Sequence, residues 1–522
     1  MTLSENSRST KHSGVWARIL CAVFGSVLIG FSLFSLKRAD AGLNVERLTV
    51  GSTPVTIYRR AGNAIEPAPV VLICHGFAGS QQLMEAFAAS VSKSGYTAVS
   101  FDYLGHGRNL EPLRGDVTKI DGATTYLLEQ TRQIADFALG LPDADGRLAM
   151  LGHSMASDII VRFAQRDSRV GATIAVSMFS PAVDESSPKN LLMLVGSLEA
   201  YLKQEALRVL GLLTDAPAVG VTFHSLEAGD RRVAVAPMVE HVGVLYSRTS
   251  MNEAVNWLKR ILPLADDENA SPHLDGRGPF ILLLLLGLIV LAWPLAGLLP
   301  TVCATPAGAS LPWRRLISVA LIPAVGTPVL LAGFPADFLG VLVGGYLAVH
   351  FAVYGILGAV ALWWTGRGVS LHRSKIRWSS MTVAVLASCA FSTGLIVWFL
   401  DQYVTSMAVV PMRYLLVLLM LVGTLCYFLA DEWIAHGQHS ARGGHLFTRL
   451  CFLFSLLLAV AFSFEELFFL AIIAGVIIVY FFVYGFFSRW IYQQTGHPAV
   501  GAVGNAVAFA WTLAAVFPVM TP

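Results

Sequence analysis

Charged residues are scarce in this sequence. Asp, Glu, Lys and Arg make up 13% of the 522 residues, whereas hydrophobic residues make up 55%. Typical soluble domains carry about 25% charged residues, so the composition excludes a purely soluble protein and a disordered chain. The 36 basic and 34 acidic residues nearly cancel, and Lys and Arg form no run typical of nucleic-acid binding. We therefore expect a membrane protein without a nucleic-acid partner.

Cysteine is also rare, with six residues in the chain. Cys74 alone lies in the large polar segment, and the others lie in or beside apolar runs. The polar segment therefore cannot hold an internal disulfide bond, which excludes a disulfide scaffold. Cofactor motifs are missing too, because the chain has no Walker loop, no dinucleotide-binding glycine pattern and no zinc-finger spacing. We expect no cofactor and no bound metal.

Apolar runs divide the chain into segments of different character. A basic head precedes the run Ile19–Leu36, which is long enough for one slightly short membrane span. Lys37 and Arg38 separate this run from a sequence like a signal-peptidase site, so we expect an uncleaved signal anchor. The predicted segments are a cytoplasmic head with its anchor (1–42), a soluble α/β domain (43–265), a polar linker (266–278) and a membrane domain of about eight transmembrane helices (279–522).

Basic residues indicate how these spans are oriented. Counted from a cytoplasmic N-terminus, nine of the ten Lys and Arg residues after Pro279 fall on the cytoplasmic side, and only Arg413 does not. The α/β domain lies between the first and second spans, so we expect it on the external face, which is the periplasm in a Gram-negative cell. The predicted location is the cell membrane, as a multi-pass protein.

Short apolar runs alternate with helical patterns in the polar segment. The predicted buried strands are Val70–Cys74, Ala98–Phe101, Leu148–Leu151, Thr173–Met178 and Leu191–Val195, and the predicted helices are Gln82–Ser94, Thr124–Leu139, Met155–Arg166 and Met251–Leu262. This alternation predicts a mostly parallel sheet with helices on both faces. Because only Phe179–Asn190 separates two of the strands, we expect no lid domain.

The stretch Arg147–Ser157 carries the clearest chemical signal. A strand runs directly into Gly152-His153-Ser154-Met155-Ala156, and a helix follows. This strand–turn–helix context is typical of an exposed nucleophilic serine, and small neighbours permit the tight turn. Ala156 stands where the usual pattern has a second glycine.

Three further motifs follow in a fixed order. A strand ends in His75-Gly76, the sequence FDYLGHG follows the next strand, and a Gly-x-x-acid turn at Gly196–Glu199 precedes His241 and the last helix. Together with the serine turn, these motifs resemble the α/β-hydrolase superfamily over about Val70–Leu262. The order of serine, acid and histidine is the same.

The resemblance implies a role for each residue. Ser154 is the expected nucleophile, His241 the base and Glu199 the acid that orients the histidine. Backbone N–H groups of Phe77 and Met155 are the expected oxyanion donors. Two alternatives stay open, namely His224 as the base and Asp184 as the acid.

The resemblance implies acyl transfer through a serine ester. We therefore expect a membrane-bound serine hydrolase that cleaves a carboxylic ester or thioester of a small-molecule or lipid substrate, and an acyltransferase with the same residues is an alternative. A transporter or membrane scaffold with a non-catalytic α/β module is a rival from another class. Transporters show broken helices in corresponding halves; Pro323 and Pro328 interrupt one span without a counterpart, which favours the enzyme.

Few ionisable residues fall in or beside the later spans. His350 lies in mid-span, where it either packs between helices or has a function. Glu465 and Glu466 are expected in a hairpin turn at the membrane interface. The segment Asp431–His445 contains four residues of metal-ligand type, but their spacing fits no strong motif. We expect a solvated cytoplasmic loop there, with metal binding as the alternative; the four residues are Glu432, His436, His439 and His445.

Overall fold

The computed structural model describes residues 2–62, 67–117, 119–264, 272–335, 338–367 and 375–521. Residues 266–271 of the predicted linker lie outside the described residues. The chain divides into an α/β unit, which comprises Ser32–Leu282 with Asp401–Val410 and Pro518–Pro522, and a helical unit, which comprises Met1–Phe31, Leu283–Leu400 and Pro411–Phe517.

A nine-stranded sheet forms the α/β unit, with the strand order β1-β2-β4-β3-β5-β6-β7-β9-β8. The six strands from β4 to β9 in this order run parallel, and β1, β2 and β8 are antiparallel to their neighbours. The predicted, mostly parallel sheet is confirmed. The strands are β1 (Leu43–Val50), β2 (Thr53–Arg60), β3 (Ala68–Cys74), β4 (Thr97–Phe101), β5 (Ala144–His153), β6 (Val170–Val176), β7 (Leu191–Gly196), β8 (Thr222–Ser225) and β9 (Gly229–Ala236).

Helices cover both faces of this sheet because its central strands are apolar on both sides. Val71 and Ile73 of β3 share a buried cluster with Phe87 and Trp257, while the alternating residues Val70 and Leu72 belong to a second cluster. A strand buried on both faces needs a continuous apolar run. The helices of this unit are α2 (Glu85–Lys93), α3 (Ala123–Leu139), α4 (Met155–Arg166), α5 (Ala200–Leu210) and α6 (Arg248–Ile261).

The remaining helices are long and apolar. In the described part of the chain, nine helices have the length and composition to cross a membrane, which is the number predicted from the sequence. The helices outside the sheet are α1 (Thr2–Ala39), α7 (Arg277–Ala296), α8 (Trp313–Leu330), α9 (Gly344–Leu362), α10 (Trp378–Cys389), α11 (Ile396–Tyr403), α12 (Tyr414–Ala435), α13 (Gly444–Phe462), α14 (Phe464–Thr495) and α15 (Pro498–Val516). Of these ten, α10 and α11 together form one candidate span, Trp378–Tyr403.

Small residues and buried polar groups join helices of the helical unit. A Cβ atom on Gly423 of α12 would lie 2.2 Å from the carbonyl oxygen of Ala348, so α9 and α12 pack backbone to backbone, as is typical of membrane helices. His350 is fully buried and lies 3.1 Å from Ser455 Oγ, so it links α9 to α13. Glu465 and Glu466 are exposed in the first turn of α14.

A partly buried ion pair connects the outer strands to the centre of the sheet. Arg59 of β2 donates through Nε and Nη2 to the two carboxylate oxygens of Asp143, at 2.7 and 3.1 Å. Thr97 Oγ1 of β4 donates to the same carboxylate at 2.9 Å. Asp143 directly precedes β5, so one carboxylate connects three strands.

This carboxylate makes the stability of the α/β unit depend on pH. Burial raises the pKa of Asp143, but hydrogen bonds from Arg59 and Thr97 outweigh it and hold the pKa below its usual value. The ionised pair therefore stabilises the fold above the unfolded pKa of about 4, and this contribution is lost as the pH falls through the folded pKa.

We expect Arg59→Met to lower the free energy of unfolding by about 1–3 kcal/mol at pH 7, because a buried carboxylate loses its partner. The difference from the natural chain should shrink between pH 5 and pH 3. Thermal unfolding of the purified protein across this range tests it, with Arg132→Met of an exposed ion pair as the control. A stability difference between Arg59→Met and the natural chain that does not change with pH would contradict the role of the ionised carboxylate.

Candidate active site

A strained turn between β5 and α4 holds Ser154. Its backbone has φ 54° and ψ −118°, a conformation that L-residues seldom adopt outside functional sites. The turn brings strand and helix so close that a Cβ on Gly152 would lie 2.8 Å from the carbonyl oxygen of Ala156. Ala156 itself is fully buried, so its extra methyl group fits into the core below the turn.

His241 connects this serine to a buried carboxylate. Ser154 Oγ lies 2.8 Å from Nε2 of His241, and Nδ1 of the same ring lies 2.6 Å from Oε1 of Glu199. With the proton on Nδ1, Ser154 donates to Nε2 and His241 donates to Glu199. The three side chains therefore form one hydrogen-bonded chain, in the order that a serine nucleophile requires.

Glu199 is held by the ends of two neighbouring strands. Its Oε2 accepts hydrogen bonds from the N–H of Gly196, at 2.7 Å, and from Ser177 Oγ, at 2.9 Å. The Glu199 side chain is 5% exposed and that of His241 26% exposed. A carboxylate so oriented keeps the imidazole in one position and stabilises its cation.

The two alternatives left open by the sequence lie elsewhere. Asp184 is exposed and accepts hydrogen bonds from Ser186 and Ser187 of its own turn. The His224 side chain is 68% exposed and pairs with Asp230 at 2.7 Å. Neither contacts His241 or Ser154 in these hydrogen bonds, so the geometry favours Glu199 and His241.

Other polar residues of the motifs support the loops around the serine. Asp102 accepts hydrogen bonds from the backbone N–H groups of Gln81 and Arg108, at 2.8 and 2.9 Å. Tyr103 N–H donates to His75 Nε2 at 3.0 Å, and His106 Nδ1 lies 2.9 Å from the carbonyl oxygen of Leu104. Asp102, His75 and His106 thus stabilise turns.

The predicted oxyanion donors belong to the start of a helix and to the loop after a strand. Met155 is the first residue of α4, where amides lack an intrahelical acceptor, and Phe77 follows the His75-Gly76 turn after β3. Three residues further on, Ser80 Oγ accepts a hydrogen bond from the N–H of Ser406 at 2.8 Å and lies 3.0 Å from Thr405 Oγ1. The segment Asp401–Val410 therefore supports the loop that carries Phe77.

This support was not predicted from the sequence. Ser80 and Thr405 are 325 residues apart, and neither belongs to a recognisable motif. A salt bridge between Arg108 and Asp401, at 2.7 Å, lies beside it. No pattern of residue types signals such long-range pairs.

Exposed apolar side chains follow the strands that carry the acid and the base. Leu198 and Met238, 61% and 82% exposed, follow β7 and β9. Phe179 and Tyr201 are also exposed, and their rings stack with centroids 6.2 Å apart. We call these residues the apolar rim. The connection from β6 to β7 has no helix or strand in this described stretch, in agreement with the expected lack of a lid.

Comparisons with known proteins found similarity over part of this chain. Residues 65–225 match the family model described as serine aminopeptidase, S33. A hypothetical protein from Pseudomonas aeruginosa is similar in structure at 12% identity, over 42% of this chain and 95% of that chain, with a TM-score of 0.33. A soluble variant of monoglyceride lipase from Saccharomyces cerevisiae is similar at 12% identity, over 42% and 94% of the two chains, with a TM-score of 0.31. Curated protein sequences gave no match.

His153 is a buried histidine whose protonation opposes folding. Its Nε2 lies 2.9 Å from the carbonyl oxygen of His241, so it supports the histidine loop. Burial, together with the nearby His241 ring, lowers the pKa of His153 to about 3. Between this value and the unfolded pKa of about 6.5, the unfolded chain binds a proton that the folded chain does not, so stability falls as the pH falls.

We expect protonation of His153 in the unfolded chain to lower the free energy of unfolding by about 2 kcal/mol between pH 7 and pH 5. His153→Gln keeps an N–H donor for the His241 carbonyl but does not titrate, so it should lose less stability over this range. Urea unfolding at both pH values measures the difference. The exposed His224→Gln is the control, and an unchanged pH dependence in His153→Gln would contradict the assignment.

Proposed function

Because residues 65–225 form an α/β-hydrolase domain, we propose that this protein is a membrane-bound serine hydrolase that cleaves carboxylic esters or thioesters. The observation that carries the proposal is the hydrogen-bonded chain from Ser154 through His241 to Glu199, with links of 2.8 and 2.6 Å. An activated serine needs such an adjacent base. The strained backbone at Ser154 supports the same role.

In the proposed reaction, Ser154 Oγ attacks the carbonyl carbon of the substrate while its proton passes to Nε2 of His241. The bond to the leaving group breaks, and His241 returns the proton to the departing alcohol or thiol. Water then attacks the acyl-serine and gives a proton to His241, which passes it to Ser154 Oγ as the carboxylic acid leaves. Glu199 stabilises the imidazolium in both steps, and the N–H groups of Phe77 and Met155 bind the oxyanion.

We place this hydrolase in the cell membrane, with its α/β domain on the external face. The nine long apolar helices in the described part of the chain and the distribution of Lys and Arg support this location and orientation. The same span count puts residues 401–410 and 518–522 on the side of the α/β domain. In agreement, Ser406 bonds Ser80, and Leu113 N–H donates to the carbonyl oxygen of Val519 at 2.8 Å.

The substrate class that fits this site best is an ester with a long apolar acyl chain. The apolar rim exposes large side chains next to the acid and the base, where water-soluble substrates gain nothing from them. Exposed apolar patches of this kind mark binding sites. The β6–β7 connection, which the structure describes throughout, adds no helix or strand beside this site.

Labelling with a fluorophosphonate in native membranes tests the serine. We expect the natural chain to be labelled and Ser154→Ala to lose labelling completely, because the probe reacts only with an activated serine. No labelling of a folded natural chain would argue against catalysis and favour a transporter or scaffold function.

The acid is tested with the same probe. Glu199→Gln should slow labelling and ester hydrolysis by about a thousandfold or more, because the imidazole loses its orienting partner. Asp184→Asn is the matched control and should react like the natural chain. Equal losses in the two variants, or a loss in Asp184→Asn alone, would reject Glu199 as the acid.

Chain-length preference tests the apolar rim. Leu198→Ser combined with Met238→Ser should lower kcat/KM for p-nitrophenyl decanoate about tenfold, as expected for the loss of about 50–60 Å² of apolar contact, and leave p-nitrophenyl acetate unchanged. Leu226→Ser, at a side chain 97% exposed outside the rim, is the control. Aminoacyl p-nitroanilides should not be cleaved; preferential cleavage of them would replace the ester substrate by a peptide.

A further inference from the structure

Three potential metal ligands meet where α12 ends and α13 begins. Glu432 lies in the last turn of α12, His436 directly follows this helix, and His445 lies at the start of α13. One ligand atom from each side chain lies within 4.8 Å of the other two. The expectation of a solvated loop is wrong here, because Glu432 and His436 are buried, whereas His439 is exposed.

One imidazole of this cluster is anchored through a hydrogen bond to a main-chain carbonyl group. His436 Nδ1 lies 2.9 Å from the carbonyl oxygen of Glu432. An N–H used in this way fixes the tautomer and leaves the other ring nitrogen with a lone pair. Metal-binding histidines are typically anchored in this manner.

The carboxylate of Glu432 is only half satisfied. Its side chain is 1% exposed, and Oε1 accepts a hydrogen bond from Nη2 of Arg449 at 2.5 Å. Oε2 has no hydrogen-bond partner, although His436 Nδ1 lies 3.2 Å away. A buried carboxylate oxygen without a partner is costly, and a bound cation would remove that cost.

Arg449 takes the place of a metal ion in this arrangement. Besides Glu432, its guanidinium group contacts Nε2 of His445 through Nη1, so it occupies two of the three ligands. Ser488 Oγ, 3.1 Å from Nη2, offers a second acceptor on α14 for this side chain. A cation is thus held here by Glu432 and His445, two of the three residues that a metal ion would use.

We propose that Glu432, His436 and His445 form a zinc-binding site, with Arg449 displaced towards Ser488 when the ion binds. Two imidazoles and one carboxylate are a ligand set that Zn²⁺ favours, and a water molecule completes the tetrahedron. The ion fastens the end of α12 to the start of α13. This site is independent of the proposed hydrolase reaction.

Zinc binding by the full chain tests this site directly. The protein is purified in detergent without a polyhistidine tag, stripped with a chelator, and dialysed against Zn²⁺ alone. We expect one tightly held ion per chain, and tetrahedral Co²⁺ absorption when Co²⁺ replaces Zn²⁺. Glu432→Gln and His445→Gln should each weaken zinc binding by well over tenfold, whereas His439→Ala, which removes an exposed histidine of the same segment, should not.

Arg449→Met separates a metal site from a simple ion pair. This change removes the competing cation, so zinc should bind more tightly and raise the thermal unfolding midpoint more than in the natural chain. If Glu432 and Arg449 form only an ion pair, Arg449→Met loses stability and zinc does not restore it.

Three results would overturn the proposal. The first is that the natural chain binds no zinc, and the second is that only Arg449→Met binds it. The third is that His439→Ala loses as much zinc affinity as His445→Gln. A folded state of each variant is checked by fluorophosphonate labelling of Ser154, or by thermal unfolding if that serine is not labelled in the natural chain.

Discussion

The candidate active site depends on the hydrogen bonds that the buried carboxylate of Glu199 accepts. This carboxylate accepts hydrogen bonds from Gly196 N–H, Ser177 Oγ and His241 Nδ1. Removing a carboxylate from water is expensive unless its lone pairs are satisfied. Gly196 ends β7 and Ser177 directly follows β6, so both donors reach the carboxylate only when these two strands pair in register. The histidine then has one position, and that position is within hydrogen-bond distance of Ser154.

The parts of this site that were predictable from the sequence have local signals. The turn at Ser154 was recognised because a buried strand, small residues and a helix follow one another without interruption. Glu199 and His241 followed from their order after it. Strands β1, β2, β8 and β9 were not predicted. β1 and β8 are half exposed, and β2 and β9 contain charged residues that shorten their apolar runs. Asp143 with Arg59, and Ser80 with Thr405, are long-range pairs that no local pattern contains.

Hydropathy predicted the number of candidate spans well, but it predicted the ends of the helices less well. A span is recognised by its apolar length, but a polar helix end has the same composition as a loop. The segment after Ala430 was therefore interpreted as a solvated loop, whereas α12 continues to Ala435. Glu432, the buried acid in the last turn of this helix, is tolerated there because Arg449 of α13 pairs with it. The sequence holds both residues, but their pairing depends on the packing of two helices.

In a chain so poor in charge, arginines with little exposure mark the points where distant elements meet. Arg413 donates to the carbonyl oxygens of Ala514 and Phe517 at the end of α15, and Arg59 donates to both oxygens of Asp143. Both oxygens of the Asp143 carboxylate are thus satisfied, which explains its burial. The pair of Arg449 with Glu432 leaves one carboxylate oxygen without a partner. That incomplete pairing, beside the imidazoles of His436 and His445, distinguishes the proposed zinc site from an ion pair that only neutralises a charge.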